Sequence, residues 1–436
     1  MNVPAGRTRR RNNEGSSGFL FGWLLLALFL EYARPASYFP FLNVPFFYSL
    51  FPVALFAVSL AAPGLRPMKE VMTDRLAKWV FILLGLVFLS MLVYRSYAID
   101  TFTMVLGYVM LFVLIARICT TWGRVRGVIV TLLLAHLFLL AMNPNVVLDP
   151  TTRQYIVGAT FLGDGNDYGL SLCLLFPCAL ELAQSRRSLW SKILCYGAVV
   201  LLLFAIIATQ SRGATLGLGA VLFFMWLRSS RKLVGLVGVA VVGVAVLIYA
   251  PPQYFDRMSS LGAAQLDGSA QGRIDAWKAG IGMVAHNPVL GVGAGHFGPR
   301  WGKTAHSTYV LAMAELGLPG LVCVLMLVIG NMRANMALRS RVLAASEIKD
   351  QQEERARLLF LTTAAVIGFA VAGAFLSATY YPHLYVLTGL LIAVRLMASQ
   401  GLPEVSVGEE AKRRRRAARL RQVSSPASVN RTGASA

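Results

Sequence analysis

Twelve apolar runs constrain the fold of this chain more than any other feature. They fall near residues 18–30, 44–62, 79–94, 101–116, 127–142, 168–184, 193–209, 213–227, 233–250, 307–330, 358–377 and 382–398. Each is near the roughly 20 residues that a helix needs to cross a bilayer. We therefore predict an all-α, polytopic integral membrane protein with about 12 transmembrane helices.

The composition agrees with this class. The 436 residues are 56% hydrophobic and only 14% charged, which is unusual for a soluble globular protein. A net charge of +21 would suit a nucleic-acid partner, but Lys and Arg cluster at the ends of the apolar runs. We therefore expect the lipid bilayer as a partner and no nucleic acid. The five cysteines lie within or beside apolar runs, which favours packing roles over a disulfide framework.

The positions of Lys and Arg predict the topology, because short cytoplasmic loops retain them. With both termini in the cytoplasm, the inner segments hold 32 of the 41 basic residues. This topology consists of a basic amino terminus (1–17), nine spans within 18–250, three spans within 307–398 and a basic, disordered tail (399–436). Two long loops, 143–167 and 251–306, then lie on the outer side.

The loop 251–306 combines a flexible stretch, GSAQG, with the segment RIDAWKAGIGMVAHNP. Apolar residues repeat at helical spacing in the second part, which predicts an amphipathic helix on the outer membrane face. In the loop 143–167, Asn166 and Asp167 directly precede a span. Their side chains suit either capping of the helix that follows or binding of a ligand.

The stretch richest in glycine, histidine and basic residues runs from His286 to Gly320, where the second loop returns into a span. Its glycines permit backbone conformations that other residues resist, and His296, Arg300 and Lys303 offer donors to an anionic group. His306 stands where the chain re-enters the bilayer. Glu315 follows in the span, where a carboxylate is costly unless it is paired or faces a wet cavity.

A second polar position is the tight turn at Ser211 and Arg212, between two spans. Arginine on an outer turn runs against the inside bias of positive charge, which favours a functional role. The alternative is that Arg212 reaches to lipid phosphates while Gly213 and Gly217 pack against a neighbouring helix. The sequence does not decide whether the short turns at 95–100 and 378–383 line the site.

Four motifs occur in order: SRGA in the outer turn, R-x3-W, NPVLGVGAGHF and AHSTYVLAMAELGLPGL. Together they resemble the shared carboxy-terminal domain of the O-antigen ligase and O-antigen polymerase superfamily, over roughly residues 195–335. The upstream run GDGNDYGLSL resembles a variant of this family with an Asn-Asp pair before a span.

The resemblance implies a membrane-embedded glycosyltransferase of the bacterial inner membrane, with its active site on the periplasmic face. Its donor would be a glycan on undecaprenyl diphosphate, and its acceptor lipid A core or a growing polysaccharide. The motif arginines map to Arg212 and Arg273, and the motif histidine to His306. Such enzymes invert the anomeric carbon and require neither a cofactor nor a metal.

Physical chemistry fits those roles. Arginine offers bidentate donors to phosphate, so Arg212 and Arg273 would stabilise the charge that grows on the departing diphosphate. His306 would act as general base on the acceptor hydroxyl or, alternatively, as a hydrogen-bond donor to the diphosphate. Ser211, His296, Arg300, Lys303, Glu315, Asn166 and Asp167 are the further predicted substrate-binding residues.

Three other functions are alternatives. A transporter or flippase of the lipid-linked glycan suits twelve spans, but transporters place substrate groups near the midplane of repeated halves. Here the polar groups gather at the outer loops. A protein O-oligosaccharyltransferase differs only in its acceptor. A scaffold subunit leaves the clustered Arg and His residues unexplained.

Overall fold

The computed structural model describes residues 5–44, 47–149, 151, 156–158, 161–229, 232–259, 268–345 and 349–402. Side chains of residues 5–16, 47–49, 257 and 268–269 are not described. Contacts divide the chain into two units, Met1–Ala398 and Ser399–Ala436. The described part of the second unit, residues 399–402, is a turn. The predicted disorder of the tail beyond it lies outside the described residues.

Regular structure in the described residues is helical throughout. The α-helices are α1 (Ala5–Ala33), α2 (Phe47–Ala61), α3 (Met68–Val71), α4 (Ala77–Tyr94), α5 (Ser96–Ile118), α6 (Trp122–Met142), α7 (Asn145–Leu148), α8 (Gly165–Ser185), α9 (Leu189–Ala208), α10 (Arg212–Arg228), α11 (Lys232–Tyr249), α12 (Pro252–Ser259), α13 (Gly268–His286), α14 (Phe297–Trp301), α15 (Thr308–Leu325), α16 (Asn331–Ala344), α17 (Lys349–Ala372) and α18 (Pro382–Ala398).

The all-α membrane architecture is confirmed. Eight helices of the described chain are long and apolar enough to cross a membrane, and three shorter apolar helices accompany them. All twelve apolar runs fall largely in helices of the described chain. Eleven lie in the eight long and three shorter helices just mentioned, and the twelfth lies in α10. The count of twelve spans stays a prediction, because length and composition alone qualify only eight.

Ion pairs tie the helices together where α6 and α17 begin and α8 ends. Arg126 of α6 pairs with buried Glu181 of α8 at 2.8 Å and with Glu354 of α17 at 2.7 Å. Arg395, near the end of α18, pairs with Asp74 at 2.6 Å. Four of the five residues come from segments that the charge distribution places on one side of the membrane, and Glu181 lies near the end of the run 168–184. The contacts agree with helices that alternate in direction, and the side of the membrane on which these ends lie stays a prediction.

Two local expectations are corrected. The stretch GSAQG, expected to be flexible, is the beginning of α13, because no helix breaker separates it from the amphipathic segment. The segment 339–357 carries charges of both signs at helical spacing, which predicts one solvated linker helix. It divides instead between α16 and α17, which pack side by side. A five-residue π-helix at Met326–Gly330 joins α15 to α16.

Candidate functional site

Two helices begin with the same local device at the predicted site. Before α10, Gln210 adopts φ +48° and Ser211 caps the helix by accepting a hydrogen bond from the Ala214 amide. Before α15, His306 adopts φ +50° and Ser307 caps the helix in the same way. Left-handed conformations cost energy for residues other than glycine, and they cluster at functional sites.

The turn that follows α17 brings the two helix starts together. Phe375 lies so close to α10 that a Cβ at Gly213 would be 3.1 Å from the Cβ of Phe375. At the start of α15, the Thr308 hydroxyl donates to the Leu376 carbonyl at 2.7 Å and accepts from the Ala378 amide at 3.1 Å. The positive amide ends of α10 and α15 therefore flank one turn.

The amphipathic helix α13 reaches the same place. Its Trp277 ring lies 6.5 Å from the ring of Phe375. Arg273 is one helical turn before Trp277, and its charge acts on His306. The structure thus places Arg273 near His306, and Arg212 directly before the glycine that Phe375 covers.

The electrostatic surroundings of His306 are mixed. Burial lowers the pKa of its imidazole below the usual value, and the neighbouring Arg273 and Lys303 cations lower it further. The Asp164 carboxylate acts in the opposite direction. A half-buried imidazole held neutral among cations can accept a proton, which is the property that a general base needs.

Two carboxylates, those of Asp164 and Asp167, lie at the start of α8 and are called the acidic wall below. Asp164 caps this helix by accepting a hydrogen bond from the Asn166 amide at 2.7 Å, so neither Asn166 nor Asp167 is the cap. Asp167 instead faces Tyr381: burial, and then the Asp167 carboxylate to which the hydroxyl hydrogen-bonds, raise the pKa of Tyr381. Asp164 acts on Tyr381 in the same sense.

The helix that carries the acidic wall, α8, packs against the turn between α9 and α10 that contains Ser211 and leads into Arg212. A Cβ at Gly169 of α8 would be 2.6 Å from the Cβ of Ala214 and 3.2 Å from the Thr209 hydroxyl. The expectation that Gly213 and Gly217 form a packing face is also confirmed, since both lie against α17. Close packing of the glycines and a functional role for Arg212 are therefore compatible.

The glycine-rich loop, residues 291–297, packs into the protein interior. It inserts into a break of α15 at Gly317, which has φ +70°. There the Val292 amide donates to the Ala314 carbonyl at 2.8 Å and the Gly293 amide to the Glu315 carbonyl at 3.1 Å. The Leu318 amide donates back to the Pro288 carbonyl at 2.8 Å.

Every backbone amide from Gly291 to Phe297 already has an acceptor within the protein. Gly291, Gly293 and Gly295 all have positive φ, and a Cβ on any of them would lie under 3.0 Å from neighbouring atoms. The glycines are needed for the close fit of the loop into the helix break.

Glu315 holds this loop. Its carboxylate accepts from the Gly295 amide at 2.8 Å and from the Phe297 amide at 2.7 Å, and the Tyr380 side chain faces it. In the described part of the chain its hydrogen-bond partners are not cations. Its support of the loop accounts for a buried carboxylate without a substrate, so its substrate-binding role stays only a prediction.

The three basic residues of the loop differ in their surroundings. His296 lies between two aromatic rings, with Tyr94 at 5.8 Å and Tyr97 at 5.5 Å. The segment 95–100, which forms the beginning of α5 and not a turn, therefore contacts the glycine loop. Arg300 is exposed on α14. Lys303 is also exposed, and it is the one of the three whose charge acts on His306.

The structure therefore brings together His306, Arg273 and Lys303 with Asp164, and joins Asp167 to Tyr381 beside them. The sequence left the 378–383 turn open, and it placed Asp164 with Asn166 and Asp167 before a span but did not assign Asp164 to the site. The run of acidic residues before a span was the available signal for Asp164. No sequence pattern points from α8 to Tyr381, because their proximity depends on the packing of distant helices.

Comparison with known proteins supports the resemblance found in the motifs. Residues 197–325 match the model of a family described as O-Antigen ligase. The chain is also 26% identical over 235 residues to the exopolysaccharide production protein ExoQ of Rhizobium meliloti (strain 1021). That alignment spans 48% of this chain and 52% of ExoQ, about half the length of each protein.

Proposed function

From an O-antigen ligase-type domain at residues 197–325, we propose that this protein is a glycosyltransferase acting on lipid-linked glycans. It would transfer a glycan from undecaprenyl diphosphate to a hydroxyl acceptor at the periplasmic face of the bacterial inner membrane. The observation that carries the proposal is the meeting of the Arg212 and His306 helix starts with Arg273 of α13.

In the proposed step, the acceptor hydroxyl oxygen attacks the anomeric carbon and its proton passes to the neutral imidazole of His306. The bond from that carbon to the diphosphate oxygen breaks, and the configuration inverts. Arg212 and Arg273 stabilise the negative charge on the departing diphosphate, assisted by the amide ends of α10 and α15. With these cations in place, we propose that the reaction needs no metal ion.

The acidic wall is proposed to bind the acceptor. Carboxylates and a tyrosine hydroxyl suit sugar hydroxyl groups, and they would hold the nucleophile opposite the arginines. ExoQ is named for exopolysaccharide production, so we place a growing polysaccharide ahead of lipid A core as the acceptor.

The test is transfer by the purified protein in lipid, with an undecaprenyl-diphosphate oligosaccharide and either lipid A core or no second acceptor. A ladder from donor alone identifies a polymerase, and one-step modification of lipid A core identifies a ligase. Arg212→Ala, Arg273→Ala and His306→Ala should each abolish transfer. Arg228→Ala is the matched control, because Arg228 ends the helix that Arg212 begins.

Retention of full activity by Arg212→Ala and Arg273→Ala would contradict the proposal. If no acceptor is modified while labelled donor still crosses the bilayer of the vesicles, the flippase reading replaces it.

A further inference from the structure

A lateral pocket of about 450 Å³ lies among α1, α2 and α5, in the part of the chain outside the family match. Its polar end is formed by Glu31, Arg34 and Tyr108, and its walls are mainly apolar residues of α2 and α5. Val53 and Met104 at its rim are 45% and 40% exposed, so the pocket faces the surroundings of the bundle. In a membrane, those surroundings are lipid.

The polar end lies at the same end of the bundle as the candidate site. Tyr32, the neighbour of Glu31, hydrogen-bonds to His383 at 3.1 Å, two residues beyond Tyr381. Along α5 the wall extends from Thr103 to Leu111, about 12 Å at 1.5 Å per residue, and Tyr108 lies between these two residues. The charged groups therefore stand beside a mainly apolar wall that continues along the helix on both sides of Tyr108.

One negative and one positive group define the polar end. Arg34 pairs with Glu31 at 3.3 Å, and the Tyr108 hydroxyl donates to the same carboxylate at 3.4 Å. The two charged side chains are 28% and 17% exposed, so a ligand can reach both. Arg34 has φ +45° and ends α1, its amide donating to the Leu30 carbonyl at 3.2 Å.

We propose that this pocket binds a zwitterionic bilayer phospholipid of the phosphatidylethanolamine type. The phosphate contacts Arg34, and the ammonium lies between the Glu31 carboxylate and the face of Tyr108. The volume holds roughly fifteen groups of the size of water, enough for a headgroup and the beginning of an acyl chain. A diphosphate lipid fits poorly, because Glu31 would stand beside its negative charge.

The test is native mass spectrometry of the detergent-purified protein, titrated with phosphatidylethanolamine or with phosphatidylglycerol of the same chains. Gly107→Leu fills the pocket, and nothing lies within 4 Å of a Cβ at Gly107, so folding should persist. Phosphatidylethanolamine should bind about tenfold or more weakly to this variant. Gly85→Leu on α4, where a Cβ likewise meets no neighbour, should bind as wild type does.

The charge pair is tested separately with Glu31→Gln. Removing the carboxylate leaves a net positive pocket, so the headgroup preference should change from phosphatidylethanolamine to phosphatidylglycerol. Equal binding of both lipids by wild type, or unchanged binding by Gly107→Leu, overturns the proposal. Neither measurement uses glycan transfer, so the outcome is independent of the proposed enzymatic function.

Discussion

At the scale of single residues, the site depends on a few side chains in unusual backbone positions. His306 and Gln210 both adopt positive φ directly before a serine that caps a helix. The sequence proposed His306 and Arg212 through their motifs and through their position at the membrane, and their roles stay a prediction. It could not predict that the charge of Lys303 acts on His306, because that depends on how the exposed segment 302–304 folds back.

The first prediction concerns the pH dependence of transfer. Lys303 lowers the pKa of His306, so Lys303→Ala should raise that pKa and extend the protonated, inactive form to higher pH. The acid limb of the kcat/KM profile should therefore move to higher pH. Asp164→Asn, which keeps a helix-capping side chain, should move the limb to lower pH.

The control for this profile is Lys278→Ala, an exposed lysine of α13 that is not among the charges acting on His306. An acid limb that stays in place in both Lys303→Ala and Asp164→Asn would show that His306 is not the group whose titration limits transfer.

The second prediction concerns the glycine loop. Gly293 has φ +104°, and a Cβ there would lie 2.7 Å from the Tyr94 ring. Gly293→Ala should lower the free energy of unfolding by about 1–3 kcal/mol, as a lower melting temperature in detergent. Gly298→Ala, on helical backbone with nothing within 4 Å, is the matched control and should not lower it.

At the scale of elements, hydrophobic runs and turn chemistry predicted most helices but not the break in α15. The sequence LGLPG contains both Gly317 and Pro319, which signal an interruption. That signal does not say what fills the gap. The filling segment, the glycine loop, is recognisable only when its amides are seen to pair with the carbonyls of Ala314 and Glu315.

The third prediction is that Glu315→Ala destabilises the protein. The change leaves the amides of Gly295 and Phe297 without their acceptors, at a cost of about 1–3 kcal/mol for each buried amide. Thermal unfolding in detergent would measure the loss. Glu353→Ala, which removes an exposed carboxylate from α17, should leave the melting temperature near that of wild type.

At the scale of the whole molecule, the distribution of Lys and Arg predicts a direction for each span, because membrane insertion depends on charge. It could not predict which charges pair. Glu181 is 1% exposed and joins α8 to Arg126 of α6 and, at 3.7 Å, to Arg357 of α17. Such pairs depend on the rotation of each helix about its axis, which the number of charges in a loop does not specify.

The fourth prediction compares the two acidic partners of Arg126. Glu181→Gln removes a buried carboxylate and should cost up to about 3–5 kcal/mol of stability. Glu354→Gln removes one that is 31% exposed and should cost about 0–1 kcal/mol. Melting temperatures of the two variants in detergent would show the difference, and equal losses would contradict the assigned burial.

The insertion of the glycine loop has a consequence for inhibitor design. A phosphonate or sulfonate that imitates a diphosphate usually gains affinity from a glycine-rich backbone, but here the amides from Gly291 to Phe297 are already occupied. An inhibitor must therefore take its hydrogen bonds from side chains and the starts of helices. On the proposed function, we expect compounds with a guanidinium-binding anion beside a neutral, hydroxyl-rich ring to bind better than nucleotide analogues.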